Sequence, residues 1–257
     1  GFPEEAGSPG AWGTNINLPL LPGTGDEGLH RLYDGLISHI LEDFKPELII
    51  NSAGQDNHFS DPLASMAVTA QGYARLADKL QADIAVLEGG YSVESALPYV
   101  NTGIILAMAG MDYSKVLEPD LSELRKQDPR CNKRVDQLIE QVGDLYFNRE
   151  RTKKELLQKC NGVWQRKKHI YYDEEGIREQ QVETVRYCSI CDGYFTIQTA
   201  AEDTRFGDQS AFIVCLPRDI CPNCKQRAYD EALREKKTGR WQYVFIQHIV
   251  DGFIETI

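Results

Sequence analysis

Basic residues are in short supply. The 257-residue chain carries 28 Lys and Arg against 39 Asp and Glu, a net charge of −11 and a pI near 5.0. That balance excludes a general affinity for nucleic acid or for an anionic membrane surface, because phosphate contacts need clustered cations. Long apolar runs are missing too. The longest, Ile104 to Met111 with only Gly110 interrupting it, is far too short to span a bilayer. No leader-like segment, internal repeat or low-complexity tract is visible, which leaves no sign of export or of a repeat array. An even set of cysteines is also lacking. There are seven, and four of them fall in two CxxC pairs, which suits metal binding in a reducing compartment better than a secreted disulfide framework. The chain reads as cytoplasmic.

What is present is an ordinary globular composition, 42% hydrophobic and 26% charged, in a chain long enough for one large domain or two modest ones. Two stretches organise its first half. Glu47-Leu-Ile-Ile50 leads into Asn51-Ser-Ala-Gly-Gln-Asp56-Asn-His58-Phe-Ser-Asp61-Pro62-Leu63, and Asp83-Ile-Ala-Val-Leu87 leads into Glu88-Gly-Gly-Tyr91. Each is a short β-branched run, then a glycine-bearing loop, then a helical pattern. Such alternation predicts a parallel sheet, and the two loops should meet at its carboxyl edge, where open α/β sheets bind ligands. Helix signals run from Asp26, a candidate N-cap, through an apolar face from Leu29 to Phe44, and stop at Lys45-Pro46. His30 and His39 sit at the edge of that face and are expected at the surface or its boundary. Thr69 is placed to cap a helix to about Gln81, and Ser92 one reaching about Ala109.

Read from residue types alone, Asp56 serves as readily for a turn or cap as for a metal ligand, and Tyr91 as readily for packing as for catalysis. The ordered motifs say more. Ser52-Ala-Gly-x-Asp56-x-His58-x-x-Asp61-Pro62-Leu63 and Leu87-Glu-Gly-Gly-Tyr91, preceded by Asn15-Ile-Asn-Leu-Pro19-Leu-x-Pro22-Gly-Thr-Gly25-Asp26, resemble the second half of the zinc-dependent histone deacetylase family. The prokaryotic acetoin-utilisation and acetylpolyamine-amidohydrolase types are the most similar members. The resemblance covers about the first 110 residues. It implies a parallel-sheet arginase/deacetylase-like fold and makes Asp56 a ligand of a catalytic zinc. Tyr91 becomes the hydroxyl that donates to the reacting carbonyl oxygen, with Leu63, Gly89 and Gly90 at the substrate. The implied substrate is an acyl-amine small molecule or an acetyl-lysine. His58 is read as a residue that steadies the loop. The family's Asp-x-His segment and paired histidines have no match here, and the chain opens on Gly1-Phe2-Pro3. The expectation is an incomplete active site that needs an N-terminal half of the same domain as partner.

Beyond Leu117 the pattern changes. Val135, Leu138, Ile139, Val142 and Leu145 form a helical stripe in a charged segment, expected to be core, and five alternating runs after residue 165 read as strands. Tyr187-Cys188-Ser-Ile-Cys191 and Ile220-Cys221-Pro-Asn-Cys224 are two knuckles, each able to aim two sulfurs at one ion, and together they predict a closed four-cysteine structural zinc ribbon. Iron in a rubredoxin-like site is the lesser alternative. Cys215 reads as core. The expected division is a deacetylase-like α/β part over 1–117, a helical linker over 118–164 and a β-rich zinc ribbon over 165–257. The expected activity is zinc-dependent hydrolysis of an N-acyl amide on lysine or a polyamine. A non-catalytic protein-binding module that uses the ribbon is the rival.

Overall fold

The computed structural model describes residues 1–119, 121, 126–191, 193–203, 205 and 207–257. Two compact units are present: Gly1–Ala6 with Gly13–Arg149, and Gly7–Trp12 with Glu150–Ile257. Both are α/β. No helix among the described residues is long and apolar enough to cross a membrane.

The first unit begins with α1 (Asp26–Leu32), continues through a π-helical segment (Tyr33–Ile37) into α2 (Ser38–Phe44), and ends that run where Lys45 turns left-handed before Pro46. Asp26 is the first helical residue rather than the cap. Gly25 takes the cap position, and the Asp26 carboxylate is committed to the backbone N–H and hydroxyl of Thr69. Strands β1 (Ile50–Ala53) and β2 (Ile84–Leu87) pair in parallel, Ile50 opposite Ile84 and Ala53 opposite Leu87. Helix α3 (Ala70–Leu80) starts as the sequence predicts, with Thr69 accepting from the Gly72 N–H. Helix α4 spans Leu97–Met108 and so begins five residues after Ser92. The Ser92 hydroxyl is engaged with Ser60, and Pro98, favoured in a first turn, sets the start instead. Small residues let α3 and α4 approach closely over a core that includes Ala70, Ala74, Ala77, Val100, Ile104 and Ala107.

The stretch 118–164 does not behave as one piece. Residues 120 and 122–125 lie outside the described residues. Helix α5 (Pro129–Phe147) buries Val135, Leu138, Val142 and Tyr146 against Leu32, Leu36 and Ile40, so its stripe is core of the first unit. Helix α6 (Arg149–Lys159) buries nothing. His39 is exposed, but His30 is not at the surface: only 7% of it is accessible, because α3 packs beside α1.

The second unit is more than a ribbon. Strands β3 (Val163–Tyr172), β4 (Ile177–Arg186), β5 (Tyr194–Glu202), β6 (Gln209–Leu216), β7 (Tyr243–His248) and β8 (Ile254–Thr256) form one sheet in chain order. All neighbours are antiparallel except β6 and β7, which are parallel and joined by a crossover helix, α7 (Pro222–Thr238). The helix packs Ala228 and Ala232 onto Phe212, Val214, Val244 and Ile246, with Cys215 buried in β6. Charge is divided unevenly along the chain. Residues 1–149 hold 22 of the 39 acidic and 11 of the 28 basic side chains, so the entire net charge of −11 belongs to that stretch.

Candidate functional site

In the first unit the loops after β1 and β2 come together at Gly89. A Cβ built there would lie 3.3 Å from Asp56 Oδ2 and 3.3 Å from the Tyr91 hydroxyl. Both oxygens therefore border the same glycine, no further apart than twice that distance. Gly54 flanks the other carboxylate oxygen, its hypothetical Cβ 3.4 Å from Asp56 Oδ1. Gly90 is required for a different reason: a side chain there would press on Leu97 at 2.9 Å and Gln55 at 3.0 Å. Tyr91 is 52% exposed and Leu63 71% exposed, so both are open to a ligand.

Three hydrogen bonds tie the loops to each other. The Gln55 N–H donates to the Gly89 carbonyl at 2.5 Å, the Tyr91 N–H donates to Asp61 Oδ2 at 2.8 Å, and the Ser60 and Ser92 hydroxyls are 2.8 Å apart. Asp61 also accepts from the Leu63 and Ala64 amides. Burial would raise its carboxyl, but these amide donors outweigh burial and hold it below the usual carboxylate value. Gln55, 1% exposed, reaches the Asn101 side chain on α4. His58 is fully buried between Ser60 and Glu118 and turned away from Asp56 duty, a steadying position. Burial pushes the Glu118 carboxyl up, and the hydrogen bonds from His58 and the Ala70 amide more than reverse that push.

A catalytic zinc takes three protein ligands and an open position. The Asp56 carboxylate suits one of them, but among the described residues it belongs to no convergent group of three or more His, Cys, Asp or Glu; the one such group is elsewhere. That group is Cys188, Cys191, Cys221 and Cys224, whose sulfurs all lie within 4.8 Å of one another. Four thiolates around one zinc at 2.3 Å stand about 3.8 Å apart, so a small contraction closes the set. The four cysteines could hold a metal.

The β4–β5 turn supplies the first pair, with the Ile190 N–H directed at Cys188 Sγ and the Gly193 N–H at Cys191 Sγ. Cys221 stands at the N-cap position of α7, its side chain making no capping bond, and Cys224 lies in the first turn. The Cys188 thiol is lowered to about 6 by the Ile190 and Cys191 amides and the Cys224 thiol, while burial pushes Cys224 up. Binding a cation there would require all four as thiolates.

Asp61 was visible in the motif, yet its part as a clamp was not. Glu118 had no local signal at all, since its partner His58 lies sixty residues earlier.

Residues 1–107 match the family described as "Histone deacetylase domain". A "Probable deacetylase" of Archaeoglobus fulgidus is 51% identical over 141 residues, covering 50% of this chain and 39% of the relative. The "Acetoin utilization protein AcuC" of Bacillus subtilis is 32% identical over 136 residues, with 49% of this chain and 35% of the relative covered. An "Acetylpolyamine amidohydrolase" of Burkholderia pseudomallei is 33% identical over 99 residues, or 37% of this chain and 29% of that one. The chain spans well under half the length of these relatives. The motifs around Asp56 and Tyr91 all fall within this matched stretch, and it is residues 1–107 that are similar to the histone deacetylase family.

Proposed function

We propose that residues 1–117 form part of a zinc-dependent amidohydrolase that cleaves an N-acetyl or other N-acyl amide on lysine or a polyamine. The observation that carries this reading is the meeting of the Asp56 carboxylate and the Tyr91 hydroxyl at Gly89. Asp56 is proposed as one ligand of the catalytic zinc, with the remaining ligands supplied by an N-terminal half of the domain outside these residues. Sheet geometry supports that partner. Parallel strands are normally covered on both faces, whereas here Ile50, Ile84, Val86 and Leu87 are 56%, 45%, 41% and 69% exposed.

When bound, the metal supplies a Lewis acid and an activated water. The chain's own groups do the rest. Tyr91 offers a hydroxyl donor to the carbonyl oxygen as negative charge develops on it, the task of preorganised donors in acyl transfer. Gly89 leaves room for the acyl group to pass between the two oxygens, and Leu63 and Gly90 line its approach. The acidic excess of residues 1–149 favours a cationic amine or lysine peptide as the substrate.

Cys188, Cys191, Cys221 and Cys224 are proposed to hold a second, structural zinc. Seven free cysteines, four of them gathered for a metal, fit a reducing cytoplasm. A second reading treats the chain as a non-catalytic binding module built on the ribbon. It draws on the fact that, among the described residues, the four-cysteine set is complete while Asp56 belongs to no such set.

Replacing Tyr91 by Phe in the protein assembled with its complementary half tests the first reading. It should lower turnover of an acetyl-lysine peptide by about a hundredfold or more, the scale of losing one oxyanion donor. Near-normal turnover would sink the role given to Tyr91. Assembled protein that binds zinc at Asp56 but turns over no acyl amide would favour the binding module.

A further inference from the structure

Behind the Asp56–Tyr91 pair runs a chain of side-chain hydrogen bonds: Ser92 Oγ to Ser60 Oγ at 2.8 Å, Ser60 Oγ to His58 Nδ1 at 2.9 Å, and His58 Nε2 to Glu118 Oε1 at 3.3 Å. Its members come from three separate segments of the first unit. The His58 and Glu118 side chains are 0% exposed, so water does not compete for the bond between them.

One backbone group fixes where the protons lie. The Ser60 N–H can only donate, and it is 3.2 Å from His58 Nδ1, so that nitrogen must accept. A neutral imidazole then carries its proton on Nε2, where Glu118 faces it. The Ser60 hydroxyl shares the acceptor Nδ1 and therefore also donates to it. Its oxygen is left to accept from the Ser92 hydroxyl. The bonds thus point one way, from Ser92 through Ser60 and His58 to Glu118. The far end is anchored, because Glu118 Oε1 also accepts from the Ala70 N–H at 2.9 Å, in the first turn of α3 where negative charge is favoured.

The near end is Ser92, the residue after Tyr91. We infer that Ser92, Ser60, His58 and Glu118 form a directional relay that positions Tyr91. The relay runs from the buried start of α3 to the Tyr91 loop and sets where the hydroxyl stands relative to Asp56. Asp61 holds the Tyr91 backbone from the other side. With both in place, the loop has two independent restraints that a glycine-rich turn would otherwise lack. This inference rests on the reading of Tyr91 as the oxyanion donor and names the residues through which that donor is held. All four are positioning residues, since the atoms nearest a Cβ at Gly89 belong to Asp56 and Tyr91.

The test uses the full 257-residue chain and needs neither metal nor turnover. Nitrogen-15 NMR should show His58 as a single Nε2–H tautomer, with a slowly exchanging Nε2 proton. Ser92→Ala should speed hydrogen exchange at the Tyr91 amide about tenfold and shift the Tyr91 ring signals, leaving α5 signals in place, and Ser92→Thr should restore both. An Nδ1–H tautomer, or a Tyr91 unmoved by Ser92→Ala, would overturn the relay. Unchanged turnover in Tyr91→Phe would instead count against the function proposed above, so the two failures are separable.

Discussion

The carboxylate of Asp61 accepts the backbone N–H of Tyr91 at 2.8 Å, across two loops whose strands are neighbours in a parallel pair. A side chain thirty residues earlier thus holds the peptide that carries the candidate oxyanion donor.

Replacing Asp61 by Ala leaves the amides of Tyr91, Leu63 and Ala64 without their acceptor. The expected cost is about 2 kcal/mol, because three part-buried amides lose a charged acceptor. Asp61→Asn keeps one oxygen and should cost less. Urea denaturation of both variants at neutral pH checks the order. The folded-state carboxyl lies below its ordinary value, so its contribution is present above the unfolded value near 4 and is lost as pH falls through the folded one. The difference between wild type and Asp61→Ala should therefore shrink in strong acid.

Gly89→Ala places a methyl group 3.3 Å from both Asp56 Oδ2 and the Tyr91 hydroxyl. Either oxygen must give way by a few tenths of an ångström, and positional errors on the ångström scale cost about a hundredfold in rate. A loss of tenfold to a hundredfold in turnover, with the melting temperature nearly unchanged, is the expected result. Steady-state kinetics on the assembled protein measures it.

His30 is buried, and neither ring nitrogen has a hydrogen-bond partner among the described residues. Burial lowers its pKa first, with Arg75 and Lys79 adding to the effect against the opposing pull of Asp26 and Asp34. The sign follows: below the unfolded value of 6.5 the unfolded chain binds a proton that the folded chain resists, so stability falls as pH drops from about 7 toward the folded value. Denaturation at pH 7.5 and pH 5.5 should show this loss in wild type and a smaller one in His30→Leu. Equal losses would remove His30 from the explanation.

Metal removal should act on the second unit. Native mass spectrometry is expected to show one zinc that persists in Asp56→Ala and disappears in Cys224→Ser. Chelation or Cys224→Ser should destabilise the sheet of the second unit by several kcal/mol, on the order expected for a structural site. Exchange protection in β5 and β6 that survives chelation would argue against a structural metal.

Much of the first unit was legible because its signals are local. The β-branched runs at Ile50 and Ile84 precede glycine loops, Thr69 has the spacing of a cap, and Leu32 and Leu36 keep a helical face. The cysteine pairs were legible for the same reason. Helix α7 was not, because the residues it buries are Cys224, Ala228, Glu231 and Ala232, small or charged side chains that do not register as an apolar stripe. Ser92 looked like a cap by residue type, and only the fold shows its hydroxyl committed to Ser60. The burial of His30 and the pairing of Glu118 with His58 depend on segments brought together from far along the chain, which no window of sequence contains.

The four cysteines also bear on the order in which the second unit can fold. The first pair closes a turn between the adjacent strands β4 and β5, whereas the second pair opens the crossover that makes β6 and β7 parallel. Parallel pairing waits on a long loop closure and is slow in consequence. A cation that bridges both pairs encloses β5 and β6 within one short circuit and brings the start of α7 to the sheet before β7 arrives. Metal present during refolding would then act as a nucleus and shorten the search, and metal supplied afterwards would find a site already built.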